Sequence, residues 1–130
     1  MSITVEQAMA GAAVRFAYLF GSRARGTATE HSDADVAIMP STDLSLRERA
    51  RLATQLAEAL GVADVDLLSL DRARLELRGR VVQEGRLIYS SDEPARVAFE
   101  VRTRSAYFDY LPTLRELQGA YLTHVARHGL

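Results

Sequence analysis

The chain of 130 residues has no cysteine, so neither a disulfide framework nor a thiolate zinc site is open to it. Lysine is missing too. All 16 basic residues are arginine; coding bias accounts for this, although the rigid guanidinium fork also suits phosphate or a charged partner surface. A formal net charge of -1 provides no overall basic excess, so nothing in the composition marks a dedicated nucleic-acid binder. No segment approaches the ~20 uninterrupted apolar residues of a membrane-spanning helix. The nearest, Ala8 to Phe20, has Glu6 where a secretion signal carries its basic leader and is broken by Arg15, which argues for a helix followed by a strand. Internal repeats and low-complexity linkers are also lacking. What is left is the composition of one soluble domain, 48% hydrophobic and 25% charged. A domain of this size buries about two-thirds of its unfolded-chain surface and needs no covalent staple. A reducing, cytoplasmic setting fits these absences.

The pattern along the chain alternates strand and helix. Thr4 with Gln7 forms a capping-box pair and predicts a short helix from Val5 toward Gly11. Val14 to Phe20 is rich in β-branched and aromatic residues and stops at Gly21-Ser22, which reads as a strand. A polar connection, Arg23 to Ser32, leads to a second strand over Asp35 to Met39, ended by Pro40. Ser45 and Glu48 form another capping box, ahead of Leu46, Ala50, Ala53, Leu56, Ala57 and Leu60 at helical spacing, and Gly61 closes that helix. Asp64 to Leu68 reads as a third strand, Arg72 to Glu84 as a helix, and Arg86 to Tyr89 as a fourth strand. The fold class is therefore α/β, with helices layered on one sheet. From Pro94 onward the pattern is helical, with Tyr107, Leu111, Leu114, Leu117, Tyr121 and Val125 on one stripe, and Pro112 is expected to kink or divide it. The expected organisation is a single domain over 1–130, with a core over 1–92 and a helical tail over 93–130.

The chemistry concentrates in Gly21-Ser22-Arg23-Ala24-Arg25-Gly26 and Ser32-Asp33-Ala34-Asp35. A glycine at a strand end lets the backbone turn sharply, so that its amide and the Ser22 hydroxyl face a phosphate; Arg23 and Arg25 can add charge there, or simply lie in solvent. Asp33 and Asp35, two apart, share one face of the sheet. Two carboxylates so close repel unless a divalent cation lies between them, and hard oxygen ligands suit magnesium or manganese. A third carboxylate on a neighbouring strand completes a two-metal site. Asp66 is favoured for that place because it sits deeper in an apolar run, where an unpaired charge is hardest to explain, while Asp64 satisfies the same spacing. Metals ~4 Å apart would activate an attacking hydroxyl and steady a leaving pyrophosphate, with Asp66 on the hydroxyl side.

Gly21-Ser22, ten intervening residues, then Asp33-x-Asp35, with Ala24-Arg25-Gly26 and Ser32 between them, resembles the signature of the DNA polymerase β-like nucleotidyltransferases, specifically the minimal nucleotidyltransferase (MNT) branch. The Asp66-Leu-Leu strand, the segment Gln83 to Tyr89 and the arginine- and aromatic-bearing stretch from Ala95 to Tyr110 are similar to MNT proteins encoded beside HEPN-domain toxins, so the resemblance spans nearly the whole chain. It implies a mixed sheet of about four strands with flanking helices, magnesium (two ions) and ATP as cofactor and substrate, and an antitoxin role in a hetero-oligomer with a cognate HEPN ribonuclease toxin, onto a tyrosine of which AMP is transferred. By position, Gly21 and Ser22, with Arg23, Arg25 and Ser32 beside them, would hold the nucleotide, and Asp33, Asp35 and Asp66 the metal. The chain departs from the branch at Thr29-Glu30, where a basic residue is common.

Other features stay secondary. His31 beside the motif reads as solvated rather than as a phosphate contact, and His124 and His128, though four apart, lack an acidic partner for a metal site. Five of the nine aromatics, Phe99, Tyr107, Phe108, Tyr110 and Tyr121, fall in the C-terminal third with Arg102 and Arg104, a composition of interface anchors as well as of a helix packed on its own sheet. Two further functions stay open beside the transferase: an antitoxin that silences its partner by binding alone, and a transferase whose acceptor is an aminoglycoside or other small alcohol.

Overall fold

The first two helices begin as reciprocal capping boxes. In α1 (Val5–Ala10) the Gln7 amide donates to Thr4 Oγ1 at 3.1 Å and the Thr4 amide donates to Gln7 Oε1 at 2.9 Å. Ser45 and Glu48 repeat the arrangement at α2 (Leu46–Leu60), which Gly61 ends in the left-handed region at φ 69°. A cap of this kind contributes about 1 kcal/mol, which matters most for a helix as short as α1. The computed structural model describes residues 2–21 and 33–128, apart from the side chains of Leu114, Tyr121 and residues 123–128. The predicted connection from Arg23 to Ser32 lies outside the described residues.

Four strands form a mixed sheet in the order β3-β2-β1-β4, with β1 at Val14–Phe20, β2 at Ala34–Pro40, β3 at Val65–Ser69 and β4 at Arg86–Ser90. β1 runs antiparallel to both β2 and β4, whereas β2 and β3 are parallel, as the intervening α2 crossover requires. β1 is inside the sheet and covered on both faces, which is why its sequence is almost continuously apolar instead of alternating.

Each face has its own core. On the first, Ala8 and Met9 of α1 and Leu52 and Leu56 of α2 pack against Val14, Ala17, Leu19, Ala34, Val36 and Ile38. On the second, Phe16, Tyr18 and Ala37 meet Val81 and Val82 of α3 (Leu75–Glu84) and Phe99 of α4 (Glu93–His128). α3 and α4 dock closely because Gly79 has no side chain: a Cβ there would overlap the Tyr107 ring. The Tyr110 hydroxyl donates to Glu76 Oε1 at 2.8 Å and ties the same pair of helices.

Most boundaries match the sequence expectation within a few residues. β2 keeps Pro40 as its last residue, paired with Val14 across a register shift, and the third helix starts at Leu75 rather than Arg72. Pro112 does not divide the C-terminal helix: α4 continues through it for 36 residues. Proline removes one amide and orphans the Phe108 carbonyl, but Phe108 and Pro112 are exposed, so water can satisfy that group at little cost. The expected stripe also ends early, since Tyr107 is buried whereas Leu117 is 60% exposed. Among the described residues no helix is long and apolar enough to cross a membrane.

Candidate active site

Register, not spacing alone, gathers the acidic residues. Asp35 is paired with Phe20 of β1 on one side and with Asp66 of β3 on the other, so the two carboxylates sit side by side on adjacent strands. The pleat sends Ala34, Val36 and Ile38 into the first core, and Asp35 with Ala37 to the second face. On β3 the same alternation puts Val65 and Leu67 against the first core and Asp66 with Leu68 on the second. Asp33, just before β2, continues the Asp35 side. All three aspartates thus face the α3 and α4 side of the sheet, at the end where β1 stops.

Their proximity has an electrostatic consequence. The Asp35 carboxyl is half-buried and its pKa is raised above the ordinary carboxylate range, by burial first and then by the charges of Asp66 and Asp33. Asp33 and Asp66 are exposed. Among the described residues no group of three or more Asp, Glu or His side chains is arranged so that it could hold a metal ion as it stands. Three mutually repelling hard-oxygen donors, one of them partly desolvated, are nevertheless a fitting donor set for a divalent cation, which would relieve the repulsion that the fold imposes.

The preference for Asp66 over Asp64 survives as a proposal on a different ground. Asp66 is not deep in an apolar environment, because β3 is the edge strand and its side chain is exposed. What distinguishes it is its register opposite Asp35. Asp64 precedes β3, and its carbonyl accepts the Ala34 amide at 3.1 Å.

Gly21 has two reasons to be glycine. Its φ of 77° lies in the left-handed region, and a Cβ would stand 2.6 Å from Asp35 Oδ2. The turn that ends β1 therefore packs its backbone directly against the acidic cluster. Ser22, Arg23, Arg25, His31 and Ser32 lie outside the described residues, as does the departure at Thr29-Glu30. The side chains of His124 and His128 do so too.

Beside Gly21, on the same face, a cleft of about 160 Å³ is lined by Phe20, Gly21, Leu77, Arg80 and Glu84. The last three come from α3 and were not singled out from the sequence. Their helical spacing was visible, but which side of α3 overlooks the aspartates depends on how Gly79 seats the helix. A larger cleft lies at the opposite end of the sheet, where Arg49 donates to Ser69 Oγ at 2.6 Å and to the Leu67 carbonyl at 3.2 Å; that guanidinium braces the end of β3.

The C-terminal aromatics divide between two surfaces. Phe99 packs on Phe16 with ring centroids 5.4 Å apart, Tyr107 covers Gly79 and Tyr110 is held by Glu76, so all three serve the domain's own packing. Phe108 points away at 61% exposure. Arg104 pairs with Glu100 at 3.6 Å, and Arg102 is exposed.

A mixed sheet with a glycine turn against paired strand aspartates defines the nucleotidyltransferase class, and comparison with known proteins agrees. The family described as Polymerase beta, Nucleotidyltransferase matches residues 4–94. Among solved structures, a toxin-antitoxin with AMP-PNP is similar with a TM-score of 0.67 and 31% identity, over 85% of this chain and 87% of that one. The MntA-HepT toxin-antitoxin is similar with a TM-score of 0.62 and 28% identity, over 85% of each chain. The tri-AMPylated Shewanella oneidensis HEPN toxin in complex with MNT antitoxin gives a TM-score of 0.62 and 28% identity, over 85% of this chain and 84% of that one. No curated protein matches the chain. The chain belongs to the polymerase beta nucleotidyltransferase family, and within it to the MNT antitoxin branch of HEPN/MNT pairs.

Proposed function

We propose that this chain transfers AMP from ATP to a tyrosine hydroxyl of a cognate HEPN-domain ribonuclease toxin and thereby acts as its antitoxin. The observation that carries the proposal is the row of Asp35 and Asp66 on adjacent strands, with Asp33 beside them and Gly21 pressed against Asp35. The structural relatives support it, being toxin-antitoxin complexes, one with AMP-PNP and one with a tri-AMPylated toxin.

Asp33, Asp35 and Asp66 would hold two magnesium ions. Bound there, the ions supply charge neutralisation for the triphosphate and acidify the acceptor hydroxyl. In the transfer the acceptor oxygen bonds to the α-phosphorus, the bond from that phosphorus to the bridging oxygen breaks, and pyrophosphate leaves. Asp66, exposed at the edge strand, stands where an acceptor can arrive and helps take its proton. Asp35 is fixed between Gly21 and Asp66 and orients the cluster. Gly21 with Ser22, Arg23, Arg25 and Ser32 would receive the triphosphate.

The test uses the full chain, magnesium, ATP labelled in its α-phosphate and the helical HEPN protein encoded beside it. Label is expected on the partner's tyrosine and is expected to vanish with D33A/D35A. Absence of label, with neutralisation of toxicity surviving D33A/D35A, rejects the transferase reading.

One observation favours a second reading, neutralisation by binding alone. Val97, Val101, Phe108 and Leu122 are all exposed and fall on one side of α4 by helical spacing, opposite the side that packs on α3. V101R/F108R abolishing neutralisation while D33A/D35A preserves it would establish this reading; the reverse pattern would eliminate it.

A further inference from the structure

We infer that the cleft between the end of β1 and α3 receives the nucleobase of the triphosphate, with Glu84 selecting a base that presents an exocyclic amino group and Arg80 seating the ring. This rests on the nucleotidyltransferase reading above and extends it to base preference. The first ground is position. Gly21 lines both the cleft and the acidic cluster, so a nucleotide whose phosphates lie at Asp33 and Asp35 can place its base next door without crossing another element.

Size and chemistry then narrow the occupant. At about 160 Å³ the cleft is below the range that encloses a whole drug-sized ligand, and suits a single ring system. Phe20 and Leu77 provide apolar walls for a flat heterocycle, and a guanidinium plane such as that of Arg80 is a common stacking surface for bases. Glu84, four residues beyond Arg80 on α3, is on the same side of the helix. Its carboxylate repels phosphate, which argues against a second anion site. As a carboxylate it accepts hydrogen bonds only, so it matches the 6-amino group of adenine, whereas the 6-oxo group of hypoxanthine would meet it as a second acceptor. Among the described residues neither Arg80 nor Glu84 is drawn into an ion pair.

The measurement is calorimetric binding of ATP and of inosine triphosphate to the full chain with magnesium, for the parent and for Glu84→Gln and Arg80→Leu. The two triphosphates differ at the purine 6-position, amino against oxo, with its accompanying ring proton. The parent should prefer ATP by about tenfold or more, the worth of one hydrogen bond to a charged group. Glutamine both donates and accepts, so Glu84→Gln should bring the ratio toward one. Arg80→Leu should weaken both triphosphates severalfold while keeping their order. Both side chains are exposed, so neither substitution threatens the fold, and an unchanged thermal midpoint verifies this. If the parent binds both triphosphates and its ratio is unaltered by Glu84→Gln, the base assignment is overturned and the transferase reading stands. If the parent binds neither with magnesium present, both fall together.

Discussion

The two faces of the sheet are covered in the same way, by a pair of helices over an apolar core, yet they are finished differently. On the first face α1 and α2 are both capped by reciprocal side-chain boxes, and the buried Ser69 on that side of β3 is satisfied by the Arg49 guanidinium at 2.6 Å. The second face carries polar groups that are less fully satisfied. Tyr18 has its hydroxyl enclosed without a partner in good hydrogen-bond geometry among the described residues, and its pKa is pushed well up by burial and then by Glu100, against the opposing Arg96 guanidinium. Arg96 is clamped between Glu93 and Glu100. Beyond these, at the open end, stand the three aspartates. One face buys stability, and the other uses part of it to hold like charges together, the usual relation between a scaffold and a site.

The widest separation expected between the faces is in activity. D33A/D35A should lower transfer by about 10³-fold or more, because a metal held by these carboxylates, as proposed, would supply several kcal/mol of charge stabilisation. The thermal midpoint in EDTA should not fall with this loss, because the double variant removes repulsion and no core packing, and initial rates with labelled ATP beside a melting curve in EDTA would decide. Leu52→Ala on the first face should do the opposite. Leu52 is 1% exposed, so truncation should cost about 2–5 kcal/mol in denaturant unfolding while the nucleotide affinity of the remaining folded protein holds.

Gly21→Ala should join the two effects. The left-handed backbone costs about 1–2 kcal/mol for a residue with a Cβ, and the methyl group must also displace the Asp35 carboxylate, so transfer should fall with stability. Retained activity would mean that Asp35 need not sit where it is. Asp35→Asn should raise the thermal midpoint in EDTA by removing repulsion from Asp66 and Asp33, and magnesium should stabilise the parent but not this variant. A midpoint that falls in EDTA would show that the three carboxylates do not oppose one another.

The smallest effect concerns acid. Glu93, at the start of α4, has its pKa lowered to about 2, through hydrogen bonds donated by Arg96 and Ser90. A depressed carboxyl pKa stabilises the fold above the unfolded-state value and loses that contribution as pH falls toward about 2. Glu93→Gln should therefore destabilise slightly near neutral pH, with the difference from the parent closing below pH ~4, the ordinary carboxylate range, in midpoints followed by circular dichroism.

Local signals made much of this structure legible. Thr4 with Gln7 and Ser45 with Glu48 announced two helix starts because a capping box is satisfied within four residues, and Gly61 announced a helix end because it needs only its own backbone freedom. Gly21 and Asp33-x-Asp35 were legible for the same reason: a strand end and a strand start are short-range events. Of the two outcomes expected at Pro112, division of the helix does not occur, because the cost of a proline depends on whether the orphaned carbonyl reaches water, which is a property of the surroundings. The aromatics of α4 left two readings open for a similar reason, since Phe99, Tyr107 and Phe108 look alike in sequence and are sorted only by what lies beneath the helix.

By itself the amino-acid sequence determined the alternation of strands and helices, the glycine turn and the paired aspartates on one face, all set by dihedral preference and by the period of two along a strand. The parallel register of β2 with β3 decided that Asp66 stands beside Asp35, and the seating of α3 on Tyr107 through Gly79 decided that Arg80 and Glu84 overlook the same end. Those decisions belong to tertiary structure because they join residues far apart in the chain, where only packing and sheet pairing, not local preference, distinguish one neighbour from another.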